Sequence, residues 1–389
     1  MRFSMLLAGL VTSLAFAFAF SWLALAGPAL ADTQSDLDHC KFVGEVSKAD
    51  ESIAACDRAI KDPKLTAANR AVAFGSRCGW WWAKKDPDRA LSDCNEAIKA
   101  DSRYAAAYVN RGNAYLIKSD LDHAFADFSE AIRLDPKNAW AYTERGNLYK
   151  NKGDFEHALA DLNESIRLDP GYAMVFLARG DLYRSRGDLK SAMADLDQSI
   201  RLDSNYATAY FTRGRVFYML GNTPGALDDF TKAIKLEADD ATVYFNRGVA
   251  YFVIGGRLPD AVADFKKAAE LNPKDAYAAL WRDLAERRNN GKGQLAEAAK
   301  QLDMTVWPAP VIRQYLGELS AEQTVAAAAD SDPRTRLAQI CEANFYGGEL
   351  ALVKKNKKEA QRQLKLAADN CPRSFVESTA AISESIQIR

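Results

Sequence analysis

The chain has 389 residues, 48% of them hydrophobic, with 51 Lys+Arg against 52 Asp+Glu and a formal net charge of −1. There is ample material for a folded body, and so even a balance lacks the basic excess that a nucleic-acid partner demands. Three histidines, His39, His123 and His157, share no ligand spacing with the six cysteines, and neither a phosphate-cradling glycine loop nor a nucleophile elbow is present, so no metal, cofactor or catalytic residue is expected.

From Phe3 to Ala31 no residue is charged. Arg2, an apolar run through Ala26, Pro28 and the small-residue site Ala29-Leu30-Ala31 before Asp32 read as a secretory signal peptide over residues 1–31. The mature protein is then expected to be periplasmic and soluble. The apolar run is long for a leader, and the alternative is an uncleaved anchor; contact with a membrane is expected only in that case. No cysteine follows a small-residue box near Ala31, so a bacterial lipoprotein signal is absent.

Residues 32–103 read as N-terminal helical hairpins. Cys40 and Cys56 lie eight residues either side of Lys48, and Cys78 and Cys94 eight either side of Asp86. In an antiparallel hairpin, residues equidistant from the turn sit at the same height on facing helices, close enough for a disulfide. Cys341 and Cys371 are symmetric about Asn356 in the same way. Of the connectivities open to six cysteines, the spacing therefore selects Cys40–Cys56, Cys78–Cys94 and Cys341–Cys371, in keeping with an oxidising compartment. The alternative is six buried free thiols. Trp80-Trp81-Trp82 falls on a first helix, with at least one ring in the core and one facing outward.

Residues 104–274 carry a fixed period. Arg-Gly recurs at Arg111-Gly112, Arg145-Gly146, Arg179-Gly180, Arg213-Gly214 and Arg247-Gly248, each 34 residues after the last. Such a period means stacked units that cannot bury their apolar faces alone. Within the unit from Ala139, Tyr142, Gly146 and Tyr149 share one helical stripe, and Ala158, Leu162 and Ser165 share another. Gly153 suits the end of the first helix, Asp154 the start of the second, and Asp169-Pro170 its stop. Ser204 and Ala238 replace the expected proline, and the fifth copy has an extra residue near Gly255-Gly256; these departures fall in turns. The pattern resembles the tetratricopeptide repeat. The resemblance implies an all-α, right-handed superhelical solenoid of helix hairpins, with five repeats over residues 104–274.

Each repeated Arg has an Asp sixteen residues later, seventeen in the last copy: Arg111 with Asp127, Arg145 with Asp161, Arg179 with Asp195, Arg213 with Asp229, and Arg247 with Asp264. Hairpin symmetry makes these a structural ladder of partly buried ion pairs; the competing reading is a phosphate-binding stripe. The face beside the packed stripe lines the concave groove in such arrays. Here it holds Asn113, Asn147, Asp181 and Arg215 in one row, flanked by Trp140, Thr143, Phe211, Tyr218, Phe245 and Phe252. Amides in a row can bond an extended peptide backbone, and aromatics supply apolar pockets; otherwise these are surface residues that touch nothing. The lysines of the family's carboxylate clamp are missing beside Asn113 and Asn147.

Residues 275–389 form a further helical region. Helices are expected at Ala276 to Arg288, up to about Leu302, Val311 to Leu316 and Ala321 to Ala329, with Trp307-Pro308-Ala309-Pro310 as an extended loop. A hairpin follows from Cys341 to Pro372, with Lys354, Lys355, Lys357 and Lys358 at its turn, then a capping helix from Ser374 to Ile386. Trp307-Pro308, Tyr315-Leu316-Gly317-Glu318, Cys341-Glu342-Ala343-Asn344-Phe345-Tyr346 and Ser374-Phe375-Val376-Glu377 resemble the C-terminal part of the NlpI family of bacterial envelope proteins. That resemblance implies a homodimeric scaffold that gathers peptidoglycan hydrolases and a processing protease. The expected function is thus a non-enzymatic scaffold for other proteins or peptides, with a structural component of an outer-membrane or secretion assembly as the alternative. An enzyme fused to the repeats is disfavoured, because the C-terminal region is still helical and free of catalytic motifs.

Overall fold

The computed structural model describes residues 28–41, 46–371 and 376–387, and all regular structure among them is helical. The signal-peptide reading lies outside these residues except for 28–31, which open the first helix. Among the described residues no helix is long and apolar enough to cross a membrane. The chain forms two compact units, residues 1–170 and 171–389, divided within the stretch read as five repeats.

The first unit consists of α1 (Pro28–Cys40), α2 (Ala49–Ile60), α3 (Ala67–Ala83), α4 (Pro87–Ala100), α5 (Ala105–Ile117), α6 (Leu121–Leu134), α7 (Ala139–Asn151) and α8 (Phe155–Leu168), packed as successive hairpins. In α7/α8 the local chemistry is legible. Asn138 accepts from the Ala141 amide to cap α7, Gly153 turns the chain at φ 77°, and Asp154 accepts from the His157 amide to start α8. Close approach explains Gly146, where a Cβ would come within 3.0 Å of Leu162 Cγ and 3.3 Å of the Ala158 carbonyl. The same Gly-to-large contact joins Gly112 to Phe128 in α5/α6.

The second unit begins with three hairpins of the same kind: α9 (Ala173–Ser185) with α10 (Leu189–Leu202), α11 (Ala207–Met219) with α12 (Thr223–Leu236), and α13 (Ala241–Ile254) with α14 (Leu258–Leu271). The extra residue of the last hairpin is absorbed by Gly255 and Gly256, both at positive φ. Then come α15 (Ala276–Arg288), α16 (Leu295–Ala298), α17 (Ala309–Leu316), α18 (Ala321–Ala326), α19 (Pro333–Val353), α20 (Lys357–Asn370) and α21 (Val376–Gln387). Trp281, fully buried, ties this region to the repeats: its ring centre lies 5.3 Å from Phe252, 5.7 Å from Phe265 and 5.3 Å from Phe345. Aromatic contacts of this kind bury large apolar area and explain why the Arg-Gly frame can stop here.

Several boundaries differ from the sequence reading, and the helix expected at Ala321 to Ala329 ends at Ala326. Trp307-Pro308-Ala309-Pro310 is not wholly a loop, because Ala309 and Pro310 open α17, where proline costs no backbone hydrogen bond. The C-terminal hairpin starts at Pro333, capped by Asp332, rather than at Cys341, and Ser374 and Phe375 of the capping helix lie outside the described residues. All three expected cysteine pairs are joined, with Cα separations of 4.7 Å for Cys40–Cys56, 5.4 Å for Cys78–Cys94 and 5.1 Å for Cys341–Cys371.

Candidate functional site

The Arg-Asp pairs meet across their turns in every copy. Arg145 donates from Nε and Nη2 to the two Asp161 carboxylate oxygens, each at 2.8 Å, and Arg111, Arg179, Arg213 and Arg247 make the same fork to Asp127, Asp195, Asp229 and Asp264. Hydrogen bonding to the carboxylate holds each of these guanidiniums more firmly protonated than usual. The ring centres of Tyr142 and Tyr149 lie 5.7 and 5.9 Å from the Arg145 guanidinium, adding cation–π support. The competing phosphate stripe is thereby disfavoured, since the Nε–Nη2 edge of each guanidinium is taken up by an aspartate of its own hairpin. One rung was not foreseen: Arg77 forks onto Asp93 in α3/α4, hidden because Cys78 stands where the later copies have glycine.

Beside the ladder, the first unit has an apolar cleft of 680 Å³ lined by Val46, Trp82, Ala83, Lys85, Val109, Asn110, Asn113, Ile117 and Trp140. Its walls come from the first helices α3, α5 and α7, one step per hairpin, which is why residues 82, 113 and 140 converge. Trp82 and Trp140 meet edge to face at 6.2 Å. The Trp140 indole donates to Asn113 Oδ1 at 3.3 Å, and Asn110 donates to the Gly75 carbonyl at 2.9 Å. These bonds orient both amides while sparing the Asn113 nitrogen and the Asn110 oxygen. Val46 and Ile117 are exposed at 56% and 41%, so large apolar side chains face water at the mouth, with the Lys85 ammonium beside them. The arrangement offers one apolar slot, one donor, one acceptor and one positive charge.

Of the expected groove residues in this unit, the structure gathers Asn113 and Trp140 in the cleft. Asn147 is half-buried and bonds Glu144, whose carboxyl is pushed up by burial. Thr143 is corrected: it is fully buried, its hydroxyl 2.8 Å from Ser165 Oγ and 3.2 Å from the Ala139 carbonyl, and it serves helix packing. The spacing of Asn110 and Val109 relative to Asn113, one helical turn and just over, was the overlooked signal.

In the second unit Asp181 pairs with Arg184 at 2.7 Å, and Arg215 lies over Phe211 at 5.8 Å. Burial and the like charge of Arg184 disfavour the Arg215 cation, against the pull of Asp181. Tyr218 and Phe252 are corrected as groove residues. Tyr218 is 6% exposed and bonds Thr379 of α21, while Phe252 is 3% exposed against Trp281. Phe245 likewise packs edge to face on Trp281, at 6.3 Å. The C-terminal helices cover this part of the face; Ser383 of α21 reaches the Val253 carbonyl at 3.5 Å.

His123 and His157 each sit 2.7 Å from their own cap aspartates, Asp120 and Asp154, and stack on Tyr115 and Tyr149. Among the described residues no group of three or more His, Cys, Asp or Glu could hold a metal.

A family model described as "TPR repeat" matches residues 112–153, 180–221 and 214–255, and one described as "Tetratricopeptide repeat" matches residues 139–172. Among solved structures, the APC/C hetero-tetramer Cut9-Hcn1 aligns at TM-score 0.56 and 15% identity, covering 69% of this chain and 50% of that one. A tetratricopeptide repeat protein from Parabacteroides merdae ATCC 43184 aligns at TM-score 0.50 and 16% identity, covering 66% of this chain and 99% of that one. This chain thus spans half the length of the Cut9-Hcn1 chain it matches, and at such identities the likeness is one of fold. With the ladder, the glycine contacts and the family matches in register, the chain carries tetratricopeptide repeats folded as an all-α helical solenoid.

Proposed function

We propose that the protein is a non-enzymatic scaffold that holds extended segments of partner proteins in the Trp82–Trp140 cleft. The observation that carries this reading is the pairing of an apolar slot with two oriented amides: a bulky side chain packs in the cleft against the paired indoles while Asn113 and Asn110 bond the flanking backbone. Lys85 at the rim favours a partner segment with an acidic residue next to its apolar anchor. The periplasm is the proposed compartment, supported by the apolar leader and by three disulfides. The C-terminal words resembling the NlpI family support hydrolases or proteases of the cell envelope as the partners, and a homodimer as the working form.

Photo-crosslinking in intact cells tests the reading. A photoreactive residue at Ile117 is expected to give discrete adducts with other proteins that disappear on Trp82→Ala, while the same probe at Lys358, in the first turn of α20, gives none of them. Adducts at Ile117 that are indifferent to Trp82→Ala would overturn it.

A further inference from the structure

Most buried carboxylates described in the second unit have basic partners. Asp195, Asp229 and Asp264 have their ladder arginines, Asp283 has Arg287 at 2.6 Å, and Glu349 and Glu384 share Arg288 at 2.7 and 3.3 Å. Glu342 departs from this rule. It is 6% exposed, its Oε2 accepts from the Tyr277 hydroxyl at 2.8 Å and the Trp307 indole at 2.7 Å, and among the described residues no Lys or Arg pairs with it. Neutral donors fix the carboxylate but leave its charge uncompensated, a costly arrangement in a folded interior. Glu377 likewise has no basic partner among the described residues but is sealed, accepting from the Tyr346 hydroxyl. Glu342, in contrast, opens on a cleft of 850 Å³.

That cleft is bounded by Tyr277 of α15, Val306 and Trp307 ahead of α17, Asp330 and Asp332, and the first turns of α19. A second acceptor stands on the same wall: Gln339, one turn before Glu342, has a buried Oε1 with no donor. Asp330 and Asp332 add negative charge at the mouth. The one basic lining residue, Arg334, keeps its side chain 95% exposed and 3.9 Å from Asp332, away from the floor. Tyr277 and Trp307 turn their polar edges to the carboxylate and present their rings as walls, the surroundings that suit a cation.

We infer that this cleft binds a guanidinium or primary ammonium group, carried on an arginine or lysine side chain of a partner peptide, with Glu342 as its counter-ion and Gln339 as a further acceptor. Arginine matches best, since its planar fork can satisfy both acceptors at once. The volume exceeds one guanidinium, leaving room for the flanking peptide. This site is separate from the Trp82–Trp140 cleft and stands or falls independently of it. Burial pushes the Glu342 carboxyl up, and the described groups facing it, Tyr277 of α15, Tyr346 on its own helix, Glu377 of α21 and the rim Asp330, Asp332 and Arg334, include no buried cation. A bound cation therefore favours the ionised form, so binding releases a proton and weakens as pH falls.

Calorimetric titration of the full chain with N-acetyl-arginine amide, and with its uncharged isostere N-acetyl-citrulline amide, tests the site. The arginine probe is expected to bind at least about tenfold tighter than the citrulline probe, and Glu342→Gln to remove that difference. Should Glu342→Gln fail to fold, the rim double variant Asp330→Asn, Asp332→Asn decides, with an expected two- to fivefold weakening that vanishes at high salt. Equal binding of the two probes, no heat from the arginine probe at millimolar concentration, or unaltered arginine affinity in the variant that folds would overturn the inference.

Discussion

The repeat hairpin α7/α8 and the C-terminal hairpin α19/α20 share a frame but fill it differently. Gly146 faces Leu162 in one, and Gly348 faces Leu364 in the other, both sixteen residues apart. One position earlier, the repeat has Arg145 forked onto Asp161, whereas the C-terminal hairpin has Gly347 with the Gln363 side chain folded over it. The repeat thus closes on an internal ion pair, and the C-terminal hairpin on a disulfide, Cys341–Cys371. Charge neutralised within each unit lets units stack indefinitely; charge left over, as on Glu342, Glu349 and Glu377, must be met by elements that occur once. The difference separates a part built to repeat from a part built to end.

The contrast can be broken most forcefully at the disulfide. Replacing Cys341 and Cys371 by serine is expected to cost about 3 to 4 kcal/mol, the chain-entropy value for a loop of this length. Urea midpoints with and without the bond measure it, and an unchanged midpoint would show that α19/α20 needs no staple. Next in size, Asp161→Ala strands Arg145. We expect a loss of about 2 to 3 kcal/mol, below the range for a fully buried pair because the arginine side chain keeps 20% of its surface in water. Gln363→Ala, at the matching position, is expected to cost no more than about 1 kcal/mol; equal losses would erase the distinction.

The remaining effect is on pH. Burial pushes the Glu377 carboxyl up to about 7 from its usual 4.5, and burial with Glu384 nearby pushes Glu349 up to about 8 against the pull of Arg288. Between the ordinary value and these raised ones the native state keeps protons that the unfolded chain has lost. Stability of the second unit should therefore be greatest near pH 4.5 and fall as pH rises from there through 7 to 8. Melting curves across that range should flatten in Glu377→Gln.

What recurs along the chain was legible in the sequence. The 34-residue spacing of Arg-Gly, the Asp sixteen residues on and the cysteines symmetric about their turns all report contacts made inside one hairpin, where linear distance encodes spatial distance. Arg77–Asp93 escaped only because Cys78 interrupts the dipeptide. Contacts made once are a different matter. Tyr277 finds Glu342 across 65 residues, Ser383 finds Val253 across 130, and no period announces either. Hence Tyr218 and Phe252, which the repeat frame places on an open face, are covered by helices whose docking the frame does not contain. The candidate cleft was half legible: Asn113 and Trp140 follow from the frame, but Val46 comes from the connection ahead of α2.

The ladder arginines also reach backwards. Arg111 Nη1 donates to Asn95 and Arg213 Nη1 to Asp197, each at 2.7 Å, and Arg247 Nη1 to Thr231 at 3.2 Å, so one guanidinium clasps its own hairpin and the one before. Neighbouring links of each array accordingly share a rivet, and tension applied to one by a tethered partner is passed to the next before either opens. Under load, each array should yield in blocks of several hairpins, behaving as a stiff strut and not as a string of independent beads.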